Sequence, residues 1–284
     1  MIFNSKIPKH KNNQTIDKIT QRYDKPDKFY TKPDVAELCV STFTKHVNIK
    51  KQDVIVEPSA GNGSFLKPLR KLNCDKVFID IDPECEQITQ ADFLTWKPDN
   101  NKGHIHVIGN PPFGKQSTIC LKFIKHASSF AESFGFILPA TFKRCTMKNR
   151  IPLNFKLLFE KKLPSNSCYG TKAQCIFQIW KKTSEIRKIK KFIREHEDFE
   201  FLKTGDMTAD FCIRNTGSAS SIGKICTTRT AIKAPRSFHW IKANINDQLL
   251  MERFRETQFS TQLANVRISH LPKYELVSVY KKKT

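Results

Sequence analysis

The sequence lacks a long hydrophobic run and any closely spaced pair of cysteines. No stretch approaches the roughly 20 apolar residues that cross a bilayer, and the first residues contain no apolar segment of a secretion signal. The nine cysteines include no Cys-x-x-Cys pair, so we expect reduced, mostly packed thiols and no metal site. His104 and His106 alternate with apolar residues, which predicts one face of a strand rather than a pair of metal ligands. These absences predict a soluble, intracellular protein.

Acidic residues are scarce beside basic ones. The chain carries 49 Lys and Arg against 27 Asp and Glu, a formal net charge of +22, and the excess is spread along its length. Such a field favours a polyanionic partner, and nucleic acid is the partner we expect. The alternative is an ordinary set of solvated lysines. A membrane partner is disfavoured because no long amphipathic basic helix is present.

The pattern of apolar residues changes along the chain. Residues 1–23 are polar and basic, which predicts a flexible arm. Short apolar runs alternate with helical segments over residues 24–182, which predicts an α/β domain with a Rossmann-like, doubly wound sheet. The alternation stops in the lysine-rich stretch 181–191, so residues 183–284 are predicted to form a small basic α+β module that binds substrate.

Hydrophobic periodicity locates the individual elements. The predicted helices cover residues 34–47, 64–72, 83–89, 116–131 and 243–257. The predicted strands are Val54–Val56, Val77–Ile79, Ile105–Ile108, Gly135–Leu138, Leu157–Glu160, Gln174–Trp180 and Leu276–Tyr280.

Polar motifs follow three of the predicted strands, where ligands collect in a doubly wound sheet. The first motif runs from Glu57 to Phe65 and contains two glycines that let the backbone approach a ligand. Asp80 ends the second strand, and an acid there accepts hydrogen bonds from ribose hydroxyls; a helix-capping acid is the alternative. Asp92 and Phe93 come later, as a hydrogen-bond acceptor and a ring for a planar base.

The hexapeptide Gly-Asn-Pro-Pro-Phe-Gly at residues 109–114 follows the third strand. Asn110 Oδ1 and the Pro111 carbonyl can each accept a hydrogen bond from an exocyclic NH₂ group. Pro111 and Pro112 fix φ, so that these acceptors keep their directions. The Phe113 ring offers a face for stacking a planar base. The motif therefore predicts chemistry on an amine attached to an aromatic ring.

Together these motifs resemble the class I, Rossmann-like S-adenosylmethionine (SAM)-dependent methyltransferases, and within them the adenine-N6 amino-methyltransferases with the γ-type motif order. The resemblance covers residues 24–182. It implies that the cofactor SAM is bound by Phe29, Tyr30, Thr31, Glu57, Ala60, Gly61, Gly63, Asp80, Ile81, Asp92 and Phe93. It implies a catalytic role for Asn110, Pro111, Pro112 and Phe113.

The resemblance implies a methyltransferase that flips adenine out of a nucleic acid and methylates N6 by direct transfer. DNA is the favoured substrate. The alternatives are the same chemistry on RNA, methylation of a glutamine amide, and an inactive nucleic-acid-binding relative. The intact set of acids and Asn110 argues against the inactive relative.

Substrate contacts are predicted in the residues that follow the strand Gly135–Leu138. Tyr169 is expected to supply the second stacking face, with Phe142 as the alternative. The basic residues expected to contact phosphates are Lys143, Arg144 and Lys172. Phe238, His239 and Trp240 form either a stacking platform for bases or, in the favoured alternative, part of a small core.

Overall fold

The computed structural model describes residues 29–99, 103–169, 174–218, 220–257 and 269–281. Two compact units are present: the first holds the chain up to Phe142 and Met147–Lys188, and the second holds Lys143–Thr146 and the chain from Ile189. The predicted arm at residues 1–23 lies outside the described residues, and so does Lys172.

The first unit contains a seven-stranded sheet in the order β3-β2-β1-β4-β5-β7-β6. Its strands are β1 Val54–Glu57, β2 Asp75–Asp80, β3 Thr89–Gln90, β4 Ile105–Gly109, β5 Ser133–Pro139, β6 Phe155–Lys162 and β7 Cys175–Lys182. The strands β3, β2, β1, β4 and β5 are parallel, whereas β7 pairs antiparallel with both β5 and β6. This sheet confirms the predicted α/β class. Strands β1 and β4 are buried throughout, as is typical of central strands in a parallel sheet.

The helices in chain order are α1 Pro33–His46, α2 Leu66–Arg70, α3 Thr118–Phe130, α4 Cys145–Lys148, α5 Thr228–Ala231, α6 Asp247–Glu256 and α7 Lys273–Lys281. The predicted helix at residues 83–89 is wrong. The Glu84 N–H donates to Gly61 O at 3.0 Å, and residues 89–90 form a strand on β2. Backbone bonds to the neighbouring loop and strand therefore replace the bonds within a helix. Among the described helices, none combines the length and apolarity needed to cross a bilayer.

A buried polar network ties the amino ends of β1, β4 and β5 together. His106 Nδ1 lies 2.8 Å from Ser133 Oγ, and His106 Nε2 lies 3.3 Å from Asp53 Oδ2. Asp53 also accepts hydrogen bonds from the Lys50 and His104 N–H groups. Burial lowers the pKa of His106, despite the opposing effect of Asp53, so its ring is neutral at pH 7. The histidine is a structural residue at the edge opposite the strand-end motifs.

Arg187, in the basic stretch 181–191, is bonded within the first unit. The Arg187 guanidinium donates to the carbonyl oxygens of Phe155, Lys148 and Ile151 and lies 5.0 Å from the centre of the Trp180 ring. Three carbonyls and an aromatic face satisfy this cation. Arg187 therefore anchors the end of the first unit.

The second unit contains a four-stranded antiparallel sheet in the order β11-β9-β12-β8 and a separate pair, β10-β13. Its strands are β8 Phe199–Phe201, β9 Phe211–Arg214, β10 Thr216–Gly217, β11 Ile225–Cys226, β12 Phe238–Ala243 and β13 Ser269–His270. One core lies against this sheet and includes Phe199, Phe211, Ile241, Leu250, Phe254 and Tyr280.

Two sequence expectations fall in this unit. The predicted strand Leu276–Tyr280 is wrong, because these residues belong to α7. Leu276, Val277 and Tyr280 are all buried, which is the spacing of one helix face. Phe238, His239 and Trp240 on β12 are buried as well, so the core alternative is confirmed and the stacking platform is wrong.

We predict that the second unit loses stability in acid through His239. Burial lowers the pKa of His239 to about 4, and its Nε2 lies 2.7 Å from Leu271 O, to which it donates. Between pH 6.5 and pH 4 the unfolded chain binds a proton that the folded chain does not, so stability falls as the pH falls. His239→Gln keeps a donor in place of Nε2. Urea unfolding should show that wild type loses about 2 kcal/mol more than His239→Gln between pH 7 and pH 4.5. The same loss in both proteins would contradict this role.

Candidate functional site

A cavity lies at the carboxyl ends of β1, β2 and β4, where the order of the strands reverses between β1 and β4. It encloses about 810 Å³ of empty space, including its open mouth. It is lined by Phe29, Tyr30, Pro58, Ser59, Gly61, Asp80, Ile81, Asp82, Asp92, Phe93, Asn110, Pro111, Pro112, Phe113 and Phe123. The cavity thus brings together most of the residues that the sequence predicted for the cofactor and for catalysis.

Asp80 holds the two loops on the β2 side of the cavity. Its Oδ2 accepts the Gly61 N–H at 2.7 Å, and its Oδ1 accepts the Asp82 N–H at 2.8 Å. Gly61 has a φ of +50°, and a Cβ there would lie 3.0 Å from the Tyr30 ring. Only glycine suits this position. The acid both shapes the loop and faces the cavity.

Glu57, at the end of β1, does not line the cavity. Its side chain is 2% exposed, and its Oε2 has no hydrogen-bond partner within the described ranges of the chain. Burial raises the pKa of the Glu57 carboxyl well above its usual range, and the negative charge of Asp80 adds to the rise. Thr31, Ala60 and Gly63, also predicted to bind the cofactor, do not line the cavity either.

Asp92 and Phe93 form the wall between β3 and α3. Asp92 Oδ1 accepts the Leu94 N–H at 2.9 Å, so this acid also caps a turn. Phe93 is buried, and its ring centre lies 5.1 Å from that of Phe123 on α3. The two rings give the cavity an apolar wall beside an acceptor.

Among the described residues, the Asn110 amide has a partner for its nitrogen and none for its oxygen. Its Nδ2 donates to Phe29 O at 2.8 Å and lies 3.6 Å from Cys168 Sγ. Because a carbonyl oxygen requires a donor, the amide nitrogen must face Phe29. Ser59 Oγ donates to the Asn110 carbonyl at 3.0 Å and holds the main chain. Oδ1 is buried and meets no donor in the part of the chain that the structure describes.

The residues after Asn110 turn sharply away from the sheet. Cys120 Sγ lies 3.5 Å from Pro112 O and 4.0 Å from Pro111 O, so its thiol donates chiefly to Pro112. Phe113 is 8% exposed, and its ring centre is 6.1 Å from that of Phe29. At Gly114 φ is +64°, and a Cβ would lie 2.5 Å from Ile119. The last glycine of the hexapeptide is therefore required by sterics.

Residues 29–32 lie beside residues 167–169. Thr31 and Cys168 form an isolated antiparallel bridge, and the Tyr169 N–H donates to Tyr30 O at 2.8 Å. The Tyr169 side chain is 53% exposed, with Lys32 Nζ 5.6 Å from its ring centre. Phe142 is fully buried, so the alternative stacking face is wrong. The Tyr169 side chain is therefore accessible to solvent beside a segment that lines the cavity.

The predicted phosphate contacts are distributed over both parts of the chain. Lys143 and Arg144 belong to the second unit, and Lys172 lies outside the described residues. Sequence reasoning also missed the cavity-lining residues Pro58, Ser59, Asp82 and Phe123. The first three stand inside or beside the predicted motifs, whereas Phe123 belongs to no motif and reaches the cavity only through the packing of α3.

The cavity wall is acidic although the chain is strongly basic. Asp80, Asp82 and Asp92 line it, against a net charge of +22 for the chain. No group of three His, Cys, Asp or Glu side chains in the described residues is placed to hold a metal ion. An acidic cavity with aromatic walls suits an organic ligand that carries positive charge.

No protein-family model matches the chain, and no curated protein does. Solved structures match it at low identity. A Listeria monocytogenes protein provisionally assigned to the class I SAM-dependent methyltransferases is 16% identical, with a TM-score of 0.44 over 58% of this chain and 64% of that one. A structure of a type I R-M system is 14% identical, with a TM-score of 0.41 over 54% of this chain and 42% of that one. A Pyrococcus horikoshii protein provisionally assigned as an RNA methyltransferase is 13% identical, with a TM-score of 0.43 over 61% of this chain and 98% of that one. The chain therefore spans less than two thirds of the first two proteins.

We predict that the Glu57→Gln variant becomes increasingly more stable than wild type as the pH rises. The folded carboxyl keeps a proton above pH 4.5 that the unfolded chain has lost, so the stability of wild type falls as the pH rises. The glutamine variant has the same shape and no such loss. Urea unfolding at a series of pH values above 4.5 should show its advantage growing by up to about 1.4 kcal/mol per pH unit.

Glu37→Gln is the control for removing a carboxyl from the same unit, because Glu37 is exposed and pairs with Lys71. An advantage of Glu57→Gln that does not change with pH would contradict the assignment of a buried, protonated acid.

Proposed function

We propose that the first unit is a SAM-dependent methyltransferase that modifies the N6 amine of adenine in nucleic acid, with DNA as the favoured substrate. The observation that carries this proposal is the buried Oδ1 of Asn110. It is an acceptor with no partner in the described ranges, in a cavity that also presents acids and aromatic rings. A buried acceptor without a donor is costly, and a substrate amine would satisfy it.

The residues of the cavity fit SAM. Its sulfonium and ammonium groups outweigh its single carboxylate, which matches the acidic wall formed by Asp80, Asp82 and Asp92. Asp80 would hold the ribose hydroxyls with its remaining acceptor capacity, and Asp92 and Phe93 would hold the adenine. Phe29–Thr31 would lie at the methionine end. When bound, SAM supplies an activated methyl group.

Asn110 prepares the amine of the substrate. An exocyclic amine is a weak nucleophile because its lone pair is conjugated with the ring. A hydrogen bond from the amine to Oδ1 favours a pyramidal nitrogen and so frees the lone pair. The bond that Asn110 Nδ2 donates to Phe29 O and the bond that Ser59 Oγ donates to the Asn110 main-chain carbonyl hold the acceptor in place, so little reorganisation is needed. The proton lost from the amine passes to water.

Stacking and charge support a nucleic acid substrate. Phe113, with Tyr169 opposite, would sandwich a base that has left its helix. The net charge of +22 favours a polyanion over a protein amide as substrate. Lys143, Arg144 and Lys172 remain proposed phosphate contacts.

Incubation with isotopically labelled SAM and single-stranded DNA, duplex DNA, RNA or protein tests this function. Digestion and mass spectrometry then identify the labelled product. N6-methyldeoxyadenosine supports the proposal, whereas N6-methyladenosine assigns the same chemistry to RNA. Labelled methylglutamine or no labelled product, with SAM binding retained, would overturn it.

Asn110→Ala should abolish methyl transfer and spare cofactor binding. The variant removes the acceptor for the amine but none of the acids of the cavity. We expect a loss of at least about 100-fold in rate, as for other preorganised hydrogen-bond groups, with the SAM dissociation constant within a factor of three of wild type by calorimetry. Asn244→Ala, which removes an exposed amide from the second unit, is the matched control. Parallel losses of binding and activity would rule out the assigned role.

Asp80→Asn should weaken SAM binding at least tenfold, or ~1.4 kcal/mol. The amide keeps the size of the side chain but loses its charge and one acceptor. It also disturbs the bonds to the Gly61 and Asp82 N–H groups. Calorimetry should find the effect on the dissociation constant, with the methylation rate largely restored at saturating SAM. An unchanged dissociation constant would remove Asp80 from the cofactor site.

A further inference from the structure

Residues 29–32, which we term the strap, join separate parts of the first unit. The Lys32 N–H donates to Ser167 O at 3.0 Å, and Tyr30 O accepts the Tyr169 N–H at 2.8 Å. Ser64 Oγ donates to Thr31 O at 2.7 Å. The strap is therefore held by the 167–169 segment on one side and by the loop after β1 on the other.

Tyr30 fastens the strap at the edge of the cavity. Its hydroxyl donates to the Glu84 carboxylate, and its ring packs where a side chain at Gly61 would stand. Glu84 is exposed and its N–H is bonded to Gly61 O at 3.0 Å. Tyr30, Glu84 and Gly61 thus form a closed group at the surface. Tyr30 lines the cavity and Glu84 does not, so their hydrogen bond lies at its rim.

The same strap reaches Asn110. Phe29 O accepts the Asn110 Nδ2 hydrogen at 2.8 Å, and this bond determines which way the amide faces. The Phe29 ring also lies 6.1 Å from the Phe113 ring, centre to centre. Movement of the strap away from the cavity would release the amide and one side of Phe113.

We propose that the strap opens and closes the cavity, that the hydrogen bond between Tyr30 and Glu84 is its latch, and that closing orients Asn110. Tyr30 and Glu84 are thus positioning residues. This inference rests on the proposed function, since it takes SAM and its demethylated product, S-adenosylhomocysteine, as the ligands that pass the strap. The Tyr30 ring covers Gly61 beside Asp80, so opening of the latch would widen the path of a ligand at this edge of the cavity.

Stopped-flow binding of S-adenosylhomocysteine to the full chain tests the latch. Tyr30→Phe keeps the ring and removes the hydroxyl, and Glu84→Ala removes the acceptor. Each should raise both the association and the dissociation rate constants about fivefold, which corresponds to the free energy of one hydrogen bond. Glu84→Gln keeps an acceptor oxygen and should exchange ligand within twofold of wild type. The Tyr30→Phe, Glu84→Ala double variant should be no faster than either single variant, because both remove the same bond.

Single-turnover methylation at saturating SAM tests the orientation of Asn110. Tyr30→Phe and Glu84→Ala should slow the methylation step at least threefold, and Glu84→Gln should restore it. Glu37→Ala, which breaks an exposed ion pair of the same unit, is the control for a purely structural loss and should change neither exchange nor methylation.

The outcomes are distinct. Exchange rates at the wild-type value in both Tyr30→Phe and Glu84→Ala would overturn the latch while leaving the proposed function intact. Faster exchange with an unchanged methylation step would overturn the coupling to Asn110. Failure of wild type to bind S-adenosylhomocysteine would overturn the proposed function and the latch with it.

Discussion

The site depends on one constraint, the fixed orientation of the Asn110 amide. Three parts of the chain that are distant in sequence combine to set it. The end of β4 brings the residue to the cavity, Ser59 Oγ holds its carbonyl, and Phe29 O takes its amide hydrogen. The two prolines that follow limit the main chain to few conformations. Its Oδ1 meets no donor among the described residues, and the chemistry that we propose needs this acceptor to keep one direction.

Opposite charges are separated between the cavity and the rest of the chain. Asp80 and Asp92 accept hydrogen bonds from local N–H groups, and both still face the cavity. Glu57 lies behind them, and burial next to Asp80 raises the pKa of its carboxyl, which limits the negative charge stored there. A protein that binds a cationic cofactor and a polyanionic substrate needs such a separation, because a uniformly basic surface would repel the cofactor.

The sequence predicted those parts of the site that depend on strand ends, and it missed those that depend on tertiary packing. Strands β1, β2 and β4 are short, apolar and followed by polar motifs, so their carboxyl ends were recognisable. The predicted helix at residues 83–89 was wrong because the backbone hydrogen bonds of this segment run to Gly61 and to β2. Phe123 and Glu84 carry no local signal, since each acquires its position only when another element packs beside it. For Asp80 the sequence left ligand binding and helix capping as alternatives. No helix follows it directly, and its carboxylate accepts two loop N–H groups and also faces the cavity.

The net charge overstates the positive charge that is open to a polyanion. The Arg187 guanidinium donates to three carbonyl oxygens and lies over the Trp180 ring. Lys148 forms an ion pair with Glu160 at 2.8 Å. Lys242 forms an ion pair with Asp210 at 2.8 Å. These cations serve the fold of their own unit. The nucleic acid that we propose as substrate would therefore meet a smaller set of cations than the composition suggests. Since the salt dependence of binding follows the number of phosphates neutralised, its slope should reflect that smaller set rather than the net charge of +22.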